Sequence, residues 1–369
     1  MKILVTGANG FIGKNLCFQL EEQGFTDIVK IDRENSNQEL DTALESVDFI
    51  YHLAGINRPK NEDEFKHGNA DLTSYIVSKL QVLNRQTPIL LTSSIQAEQS
   101  NPYGVSKALA EESVNQYAKG ANAKVYIYRL PNVFGKWCRP NYNSVVATFC
   151  YNVANELPLV INDPEAKVNL VYIDTVCEHF IHHLSNDEPS GEQSIKPIYP
   201  TTVGYIANAL ESFKESKTSL VTENVGTGLL RALYSTYISY YTPEQFSYTV
   251  PSYTDPRGSF CELLKTKEAG QFSFFTAHPG ITRGGHYHHT KNEKFLVIKG
   301  LAKFKFKHIA TGDSYALDVS GDDYRVVETV PGWTHDVTNI GDCELIVMLW
   351  ANEIFDRKKP DTFAMPLLG

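Results

Sequence analysis

Two groups of side chains have types and spacings that suit chemistry. In the first, Tyr103 and Lys107 stand four residues apart in YGVSK and follow the segment Thr92, Ser93, Ser94. An i, i+4 pair shares one face of a helix. Such a set suits reduction of a ketone: the lysine cation lowers the phenol pKa, the tyrosine gives its proton to the carbonyl oxygen as hydride arrives, and a serine hydroxyl polarises that oxygen. In the second group, His286-x-His288, Glu293 and the distant His335 combine three imidazoles with one carboxylate. On a strand His286 and His288 point to the same face, and Glu293 can return from the next strand across a turn. Three nitrogens and one oxygen suit Zn, Mn, Fe or Ni; zinc, which needs no redox partner, is the favoured tenant. His289 is an alternative ligand if the strand is bulged there.

A third pattern binds rather than reacts. TGANGFIG places Gly7, Gly10 and Gly13 directly after the apolar run Lys2 to Thr6 and opens a helix with the stripe Ile12, Leu16, Leu20. Glycines here let the chain turn tightly, let backbone approach a pyrophosphate and let helix pack on strand, while the helix N-terminus supplies amide donors. Asp32, 19 residues beyond Gly13, ends the second strand where an acid can bind a ribose hydroxyl. Arg33 follows it, and a guanidinium there can embrace a 2'-phosphate. The two neighbours point to NAD and NADP respectively.

The elements that must position these groups are legible in the apolar pattern. Runs at Lys2 to Thr6, Ile28 to Asp32, Val47 to Ala54, Pro88 to Ser94, Lys124 to Leu130 and Asn169 to Asp174 alternate with stretches of helical period such as Phe11 to Leu20, Glu62 to Leu83 and Ser106 to Lys119. That alternation implies a doubly wound α/β domain with a parallel sheet. Beyond about residue 243 the texture changes to short β-rich runs, Gln271 to Ala277, Lys294 to Ile298, Ala302 to His308, Arg325 to Val330 and Leu345 to Trp350, punctuated by Gly, Pro and Asp. These read as an all-β sandwich or small barrel. With a connector in Tyr240 to Val250, the expected domains are 1–243 and 244–369.

The 369 residues are 42% apolar and 21% charged, which rules out a disordered chain and leaves ample core for two domains. A formal charge of -9 gives no basic field to gather nucleic acid or an anionic membrane surface. No apolar run reaches membrane-spanning length and no signal-peptide pattern follows Met1, so a cytoplasmic protein is expected. Six scattered cysteines without a CxxC pair suggest reduced, packed thiols.

TGANGFIG, HLAG (His52 to Gly55), the TSS segment, YGVSK and RLPNVFG (Arg129 to Gly135) together resemble the extended short-chain dehydrogenase/reductase family over about residues 1 to 240. The resemblance implies a Rossmann-type fold, catalysis by Ser94, Tyr103 and Lys107 with Ser93 as the fallback hydroxyl, and cofactor contacts from Gly7, Gly10, Phe11, Ile12, Gly13, Asp32, Arg33, Leu53, Ala54 and Gly55. It also places Asn69 and Asn132 near cofactor and substrate. Members act mostly on nucleotide sugars. Dehydratases of the family carry an Asp-Glu pair after the catalytic hydroxyl; here Ile95 and Gln96 follow Ser94, leaving ketone reduction or 4-epimerisation through a bound NAD.

Gly280 to Gly300, followed by PGWTHDVTN with Gly332, His335 and Asn339, resembles the metal-binding cupins, a jelly-roll barrel family, although Pro331 adjoins its glycine instead of standing two before it. DPRGSF (Asp255 to Phe260) and TRGGHYH (Thr282 to His288) resemble the nucleotide-sugar 3,5-epimerases of that superfamily, which invert carbons beside a 4-keto group. In those enzymes the histidine matching His286 is a general base and a lysine steadies the enolate. Glu293 occupies that lysine's place, so a metal would have to supply the polarising cation. The candidate bases are then His289, Lys294 or a metal-bound water. Arg257 and Arg283 are candidate partners for a substrate pyrophosphate.

Taken together, the chain resembles the bifunctional capsular-polysaccharide enzymes of the L-N-acetylfucosamine precursor pathway. That implies C3 epimerisation of UDP-2-acetamido-2,6-dideoxy-4-hexulose by the cupin, then C4 reduction with NADPH to UDP-2-acetamido-2,6-dideoxy-L-talose. The partner would be a UDP-activated 4-keto-6-deoxy amino sugar, and a homodimer formed through the cupin domain is expected. Two other readings stand beside it: a reductase with a non-catalytic cupin module, and a 4-epimerase that holds NAD permanently.

Overall fold

The computed structural model describes residues 1–367. The chain forms two compact units, one from Met1–Leu210 with Arg231–Tyr241, the other from Glu211–Leu230 with the chain from Thr242 onward. Residues 211–230 thus lie with the β-rich unit, where the short strand Val221–Thr222 pairs with Gly258–Thr266.

In the first unit, strands β1 (Ile3–Thr6), β2 (Ile28–Ile31), β3 (Phe49–His52), β4 (Ile89–Ser94) and β5 (Val125–Leu130) form a parallel sheet in the order β2-β1-β3-β4-β5, with Gly191–Gln193 added at the β5 edge. β1, β3 and β4 are buried along their whole length, as parallel strands covered by helices on both faces must be. Alternation sorts their side chains into two cores. Ile3, Val5, Tyr51 and Leu90 pack with Leu16, Leu20 and Phe180 on one face; Leu4, Ile50, Ile89 and Leu91 pack with Ile76, Leu80 and Val114 on the other. Connections diverge beside β1, and the crevice at that switch point is where such sheets take ligands.

Two expectations need correction here. The run Asn169 to Asp174 does not join the main sheet: Lys167–Tyr172 pairs with Asn132–Phe134 and Tyr199–Thr202 in a separate three-stranded sheet. The sixth position is taken instead by Gly191–Gln193, too short and polar to stand out as an apolar run. The helical stretch Glu62 to Leu83 is also interrupted, since a π-helical turn, Lys66–Asp71, separates Asp63–Phe65 from Leu72–Val82.

The second unit is an all-strand structure of two sheets. One contains Gly258–Thr266, Gly270–Ala277, Leu345–Ala351, Glu293–Lys299 and Val326–Glu328, with Val221–Thr222 and Ser252–Asp255 along its edge. The other orders Ser314–Ser320, Leu301–His308, Trp333–Asn339, Thr282–Tyr287 and Phe363–Ala364. Phe275, Phe295, Val297, Leu345 and Val347 of the first sheet share a buried core with Ala302, Phe304, Phe306, Val319 and Val337 of the second. Strict alternation along Leu345–Ala351 gives that strand its one buried face.

Candidate active site and metal centre

The first site grows from the C-terminal end of β4. Ser94 ends the strand, and its Oγ accepts the Gln96 amide at 3.2 Å, capping the short turn Ile95–Glu98. The helix Pro102–Ala121 begins immediately afterwards, with Asn101 Oδ1 accepting the Gly104 amide at 2.8 Å and proline at the first helical position. Gly104 is obligatory because a Cβ there would lie 2.2 Å from the Gln96 carbonyl oxygen. That close approach seats the helix against the turn, so that Tyr103, Lys107 and Ser94 line one cavity of about 760 Å³. Lys107 is buried, and its Nζ donates to the Thr92 carbonyl at 3.0 Å. Burial pushes the lysine down to about 8, against the pull of Glu111. Burial pushes the Tyr103 phenol up, while its hydrogen bond with Ser94 draws it back.

Ser93 points elsewhere. Its Oγ donates to Glu111 Oε1 at 2.5 Å, and Glu111 also receives Nε and Nη2 of Arg129 at 3.0 and 2.7 Å. The fallback hydroxyl is therefore committed to a buried ion-pair network, and Ser94 is the one hydrogen-bonded with Tyr103. His52 of the HLAG segment is a stitch: its ring bridges Thr6 and Thr73 Oγ1 at 2.7 and 2.9 Å, and burial, then the Lys107 charge, push it down to about 3.

The same cavity is lined by Gly7, Gly10, Phe11, Ile12, Gly13, Arg33, Leu53, Gly55 and Asn132. Gly7 has φ +68°, and a Cβ on Gly13 would lie 2.2 Å from the Gly7 carbonyl oxygen, so the loop folds back on its helix as a phosphate cradle must. Asp32 and Ala54 are not among this lining. Asp32 turns its carboxylate to the backbone amides of Asn9 (2.6 Å) and Arg33 (3.1 Å), and the Ala54 amide donates to Thr6 Oγ1 at 3.3 Å. Asn69, on the π-helical turn, is fully enclosed: Oδ1 accepts the Ile56 amide and Nδ2 donates to the Ile56 carbonyl and Ser106 Oγ, which fixes the loop carrying Gly55. The sequence reading missed Trp137, Arg139 and Tyr142, which also line the cavity, with the Arg139 guanidinium 5.3 Å from the Tyr142 ring centroid. Their only signal is a run of aromatic and cationic residues between RLPNVFG and the helix Val145–Ala154.

In the second unit, one ligand atom from each of His286, His288, Glu293 and His335 lies within 4.8 Å of the others. Gly284 and Gly285, with φ +93° and +78°, sit at a bulge that lets His286 face its cross-strand partner His335. A cation fits these donors. His288 Nε2 and both ring nitrogens of His335 are buried without a hydrogen-bond partner among the described residues. The two Nε2 atoms stand 3.4 and 3.6 Å from Glu293 Oε2, close to the spacing of about 3.3 Å between donors 2.0–2.1 Å from a shared tetrahedral centre. Burial, then His335, push His286 down to about 4, which keeps its ring neutral as a ligand must be. Burial pushes the Glu293 carboxyl up, but the facing His288 and His335 rings and the Lys291 ammonium outweigh it and hold it ionised.

His289, Lys294, Arg257 and Arg283 stand outside this cluster. His289 is exposed and packs its ring 4.9 Å from that of Phe363, outside the cluster, because the bulge lies before His286. Lys294 points to the other face of its strand and pairs with Glu328. Arg257 is exposed and forks onto Asp255, whereas Arg283 donates Nε to the Thr276 carbonyl at 2.9 Å and leaves a buried Nη2 unpartnered among the described residues. Lys291, buried with its Nζ 3.2 Å from Glu293 Oε1, carried no spacing signal in the sequence.

Residues 3–195 match the NAD dependent epimerase/dehydratase family, and residues 253–363 match the polysaccharide biosynthesis C-terminal domain. The chain is 53% identical over 365 residues to a UDP-2-acetamido-2,6-beta-L-arabino-hexul-4-ose reductase of Pseudomonas aeruginosa, covering 99% of this chain and 98% of that one. It is 40% identical to the capsular polysaccharide assembling protein CapF of Staphylococcus aureus, with a TM-score of 0.92 and full cover of both chains. The UDP-glucuronic acid 4-epimerase of Bacillus cereus shares the fold of the first unit, at 20% identity and a TM-score of 0.55 over 65% of this chain and 98% of that one. Matched from end to end, the chain belongs to the CapF family of capsular polysaccharide assembling proteins, with an N-terminal part of the NAD dependent epimerase/dehydratase family.

Proposed function

We propose that the chain is a bifunctional nucleotide-sugar enzyme of capsule precursor synthesis, in which the all-strand unit epimerises C3 of UDP-2-acetamido-2,6-dideoxy-4-hexulose and the first unit then reduces C4 to UDP-2-acetamido-2,6-dideoxy-L-talose. The observation that carries the reading is the convergence of Ser94, Tyr103 and Lys107 on the cavity that also holds the glycine loop and Arg33. The reductase named for the Pseudomonas relative acts on a sugar of this 4-keto class.

The nicotinamide cofactor supplies the hydride, and NADPH is the favoured form because Arg33 faces the cavity, where its guanidinium can take a 2'-phosphate. Ser94 polarises the C4 oxygen, Tyr103 delivers a proton to it, and Lys107 lowers the phenol's affinity for that proton. In the other unit, His286, His288, Glu293 and His335 would hold a divalent ion, with zinc favoured by the nitrogen-rich set; such an ion supplies a cation to polarise the C4 oxygen. Both steps exploit one ketone, which acidifies the C3 proton and later accepts hydride. No helix among the described residues is long and apolar enough to cross a membrane, which fits a cytoplasmic enzyme working on a charged sugar nucleotide.

The test is incubation of the full chain with the UDP-4-keto sugar in deuterated water, with and without NADPH, and NMR analysis of the products. Deuterium at C3 without NADPH, and a C3-inverted, C4-reduced sugar with it, are the expected results. Reduced product without C3 deuterium would leave the all-strand unit a non-catalytic module, for instance one that joins two copies of the chain.

A further inference from the structure

The four ligand residues are held unequally by the groups behind them. A carbonyl oxygen can only accept, so the 2.5 Å contact between His288 Nδ1 and the Asp361 carbonyl places the single proton of a neutral His288 on Nδ1. Its Nε2 is then a lone pair, and this is the nitrogen facing Glu293. The Asp361 side chain fixes its own backbone there by accepting three consecutive amides, His289 (3.0 Å), Thr290 (2.7 Å) and Lys291 (2.7 Å), together with Thr290 Oγ1 (2.9 Å). The next residues continue across the ligand strands: Phe363–Ala364 pairs with Thr282–Tyr287, and the Met365 amide and carbonyl bond Gly285 and Thr334. On the carboxylate side, the Lys291 ammonium lies 3.2 Å from Glu293 Oε1, whereas Oε2 faces the His288 and His335 rings. A buried lysine beside a buried glutamate divides that carboxylate into one oxygen neutralised by the protein and one turned to the cluster.

We propose that Asp361 and Lys291 are positioning residues of this centre, Asp361 presetting the tautomer and aim of His288 and Lys291 holding Glu293 to a single metal-facing oxygen. Outer-shell groups of this kind orient ligands before the ion arrives. The proposal rests on the metal-site reading above and adds to it what fixes the ligands.

The experiment measures Zn²⁺ affinity of the purified full chain by competition with a chromophoric chelator, and records the visible absorption of the Co²⁺-loaded protein. Asp361→Ala should weaken Zn²⁺ binding by about 10- to 100-fold, and Asp361→Asn, which keeps one acceptor oxygen, should recover part of the loss. Lys291→Met frees the second carboxylate oxygen, so the intense bands of four-coordinate Co²⁺ should weaken as coordination rises. If Asp361→Ala does not fold, Asp361→Asn against the parent decides. Variants that bind within about twofold of the parent with an unchanged Co²⁺ spectrum would overturn the positioning roles alone. A parent chain that binds neither ion would overturn the metal site itself, and the positioning roles with it.

Discussion

Ser93 and Glu111 form a buried hydrogen bond that ties the end of β4 to the catalytic helix one turn beyond Lys107. Because the Ser93 hydroxyl is spent on that bond, the two adjacent serines carry different duties. Ser94→Ala should lower kcat for NADPH-dependent reduction by about 100-fold or more, the scale for losing a group that polarises the reacting oxygen. Ser93→Ala should keep kcat within severalfold and instead lower the melting temperature, since it leaves a buried carboxylate short of one donor, a loss of about 1–3 kcal/mol. Steady-state kinetics beside a thermal melt separates the two, and equal loss of kcat in both variants would contradict the assignment.

Lys107 gives the reduction a pH limb of known sign. In the proposed mechanism its cation acidifies the Tyr103 phenol, and burial has pushed the lysine down to about 8. The charged form is present below that value and lost above it, so kcat should fall as pH rises through about 8. The charge that opposes this burial is Glu111, which holds the lysine's proton on; the neighbouring His52, which the Lys107 charge helps push down to about 3, is neutral in this range. Glu111→Gln removes the opposing pull, so the limb should move to lower pH. A kcat–pH profile whose limb stays in place in that variant would remove Glu111 from the electrostatics of the site.

Much of this was readable before the fold, for reasons that particular residues make plain. Gly10 and Gly13 are demanded by backbone contacts with Gly7 and Ala8 a few residues away, whereas Gly7 owes its place to its φ of +68° and to the distant Leu53–Ala54 backbone, and the i, i+4 pair Tyr103 and Lys107 needs only a helix to share a face. His335 was recoverable because its flanking glycine and asparagine repeat a spacing. What escaped depends on partners distant in sequence that no period records. Ser93 looks equivalent to Ser94 until Glu111 claims it, the tie between the Asp32 carboxylate and the Asn9 amide spans 23 residues, and Lys291 gains meaning only beside Glu293. Likewise the strand Gly191–Gln193 owes its place to pairing with β5 and not to its own side chains.

The arrangement of Asp32 and Arg33 bears on cofactor choice. Arg33 lines the cavity and Asp32 Oδ2 accepts the Asn9 amide of the glycine loop, so under the NADPH proposal the arginine would meet the 2'-phosphate. Arg33→Ala should raise the KM for NADPH by about tenfold, the worth of one charge-assisted bond, and leave the KM for NADH within about twofold. Asp32→Ala should weaken both cofactors together, because it loosens the loop they share. A variant at Arg33 that loses both equally would show that it supports the fold of the loop and not the choice.

The two centres use separate side chains, so each can be silenced alone. Tyr103→Phe removes the proton donor for C4 and should cut hydride transfer by about 100- to 10,000-fold, yet leave deuterium exchange at C3 intact, since none of the four cluster residues is touched. Glu293→Gln should do the reverse. It replaces the carboxylate whose Oε2 faces His288 and His335 and whose Oε1 meets Lys291, so bound metal should fall and C3 exchange with it, while NADPH oxidation by the first unit persists. Metal analysis, C3 exchange and NADPH consumption on the same two proteins form a crossed comparison. Loss of both activities in Tyr103→Phe would contradict separate centres, and a full metal complement in Glu293→Gln would remove that residue from the ligand set.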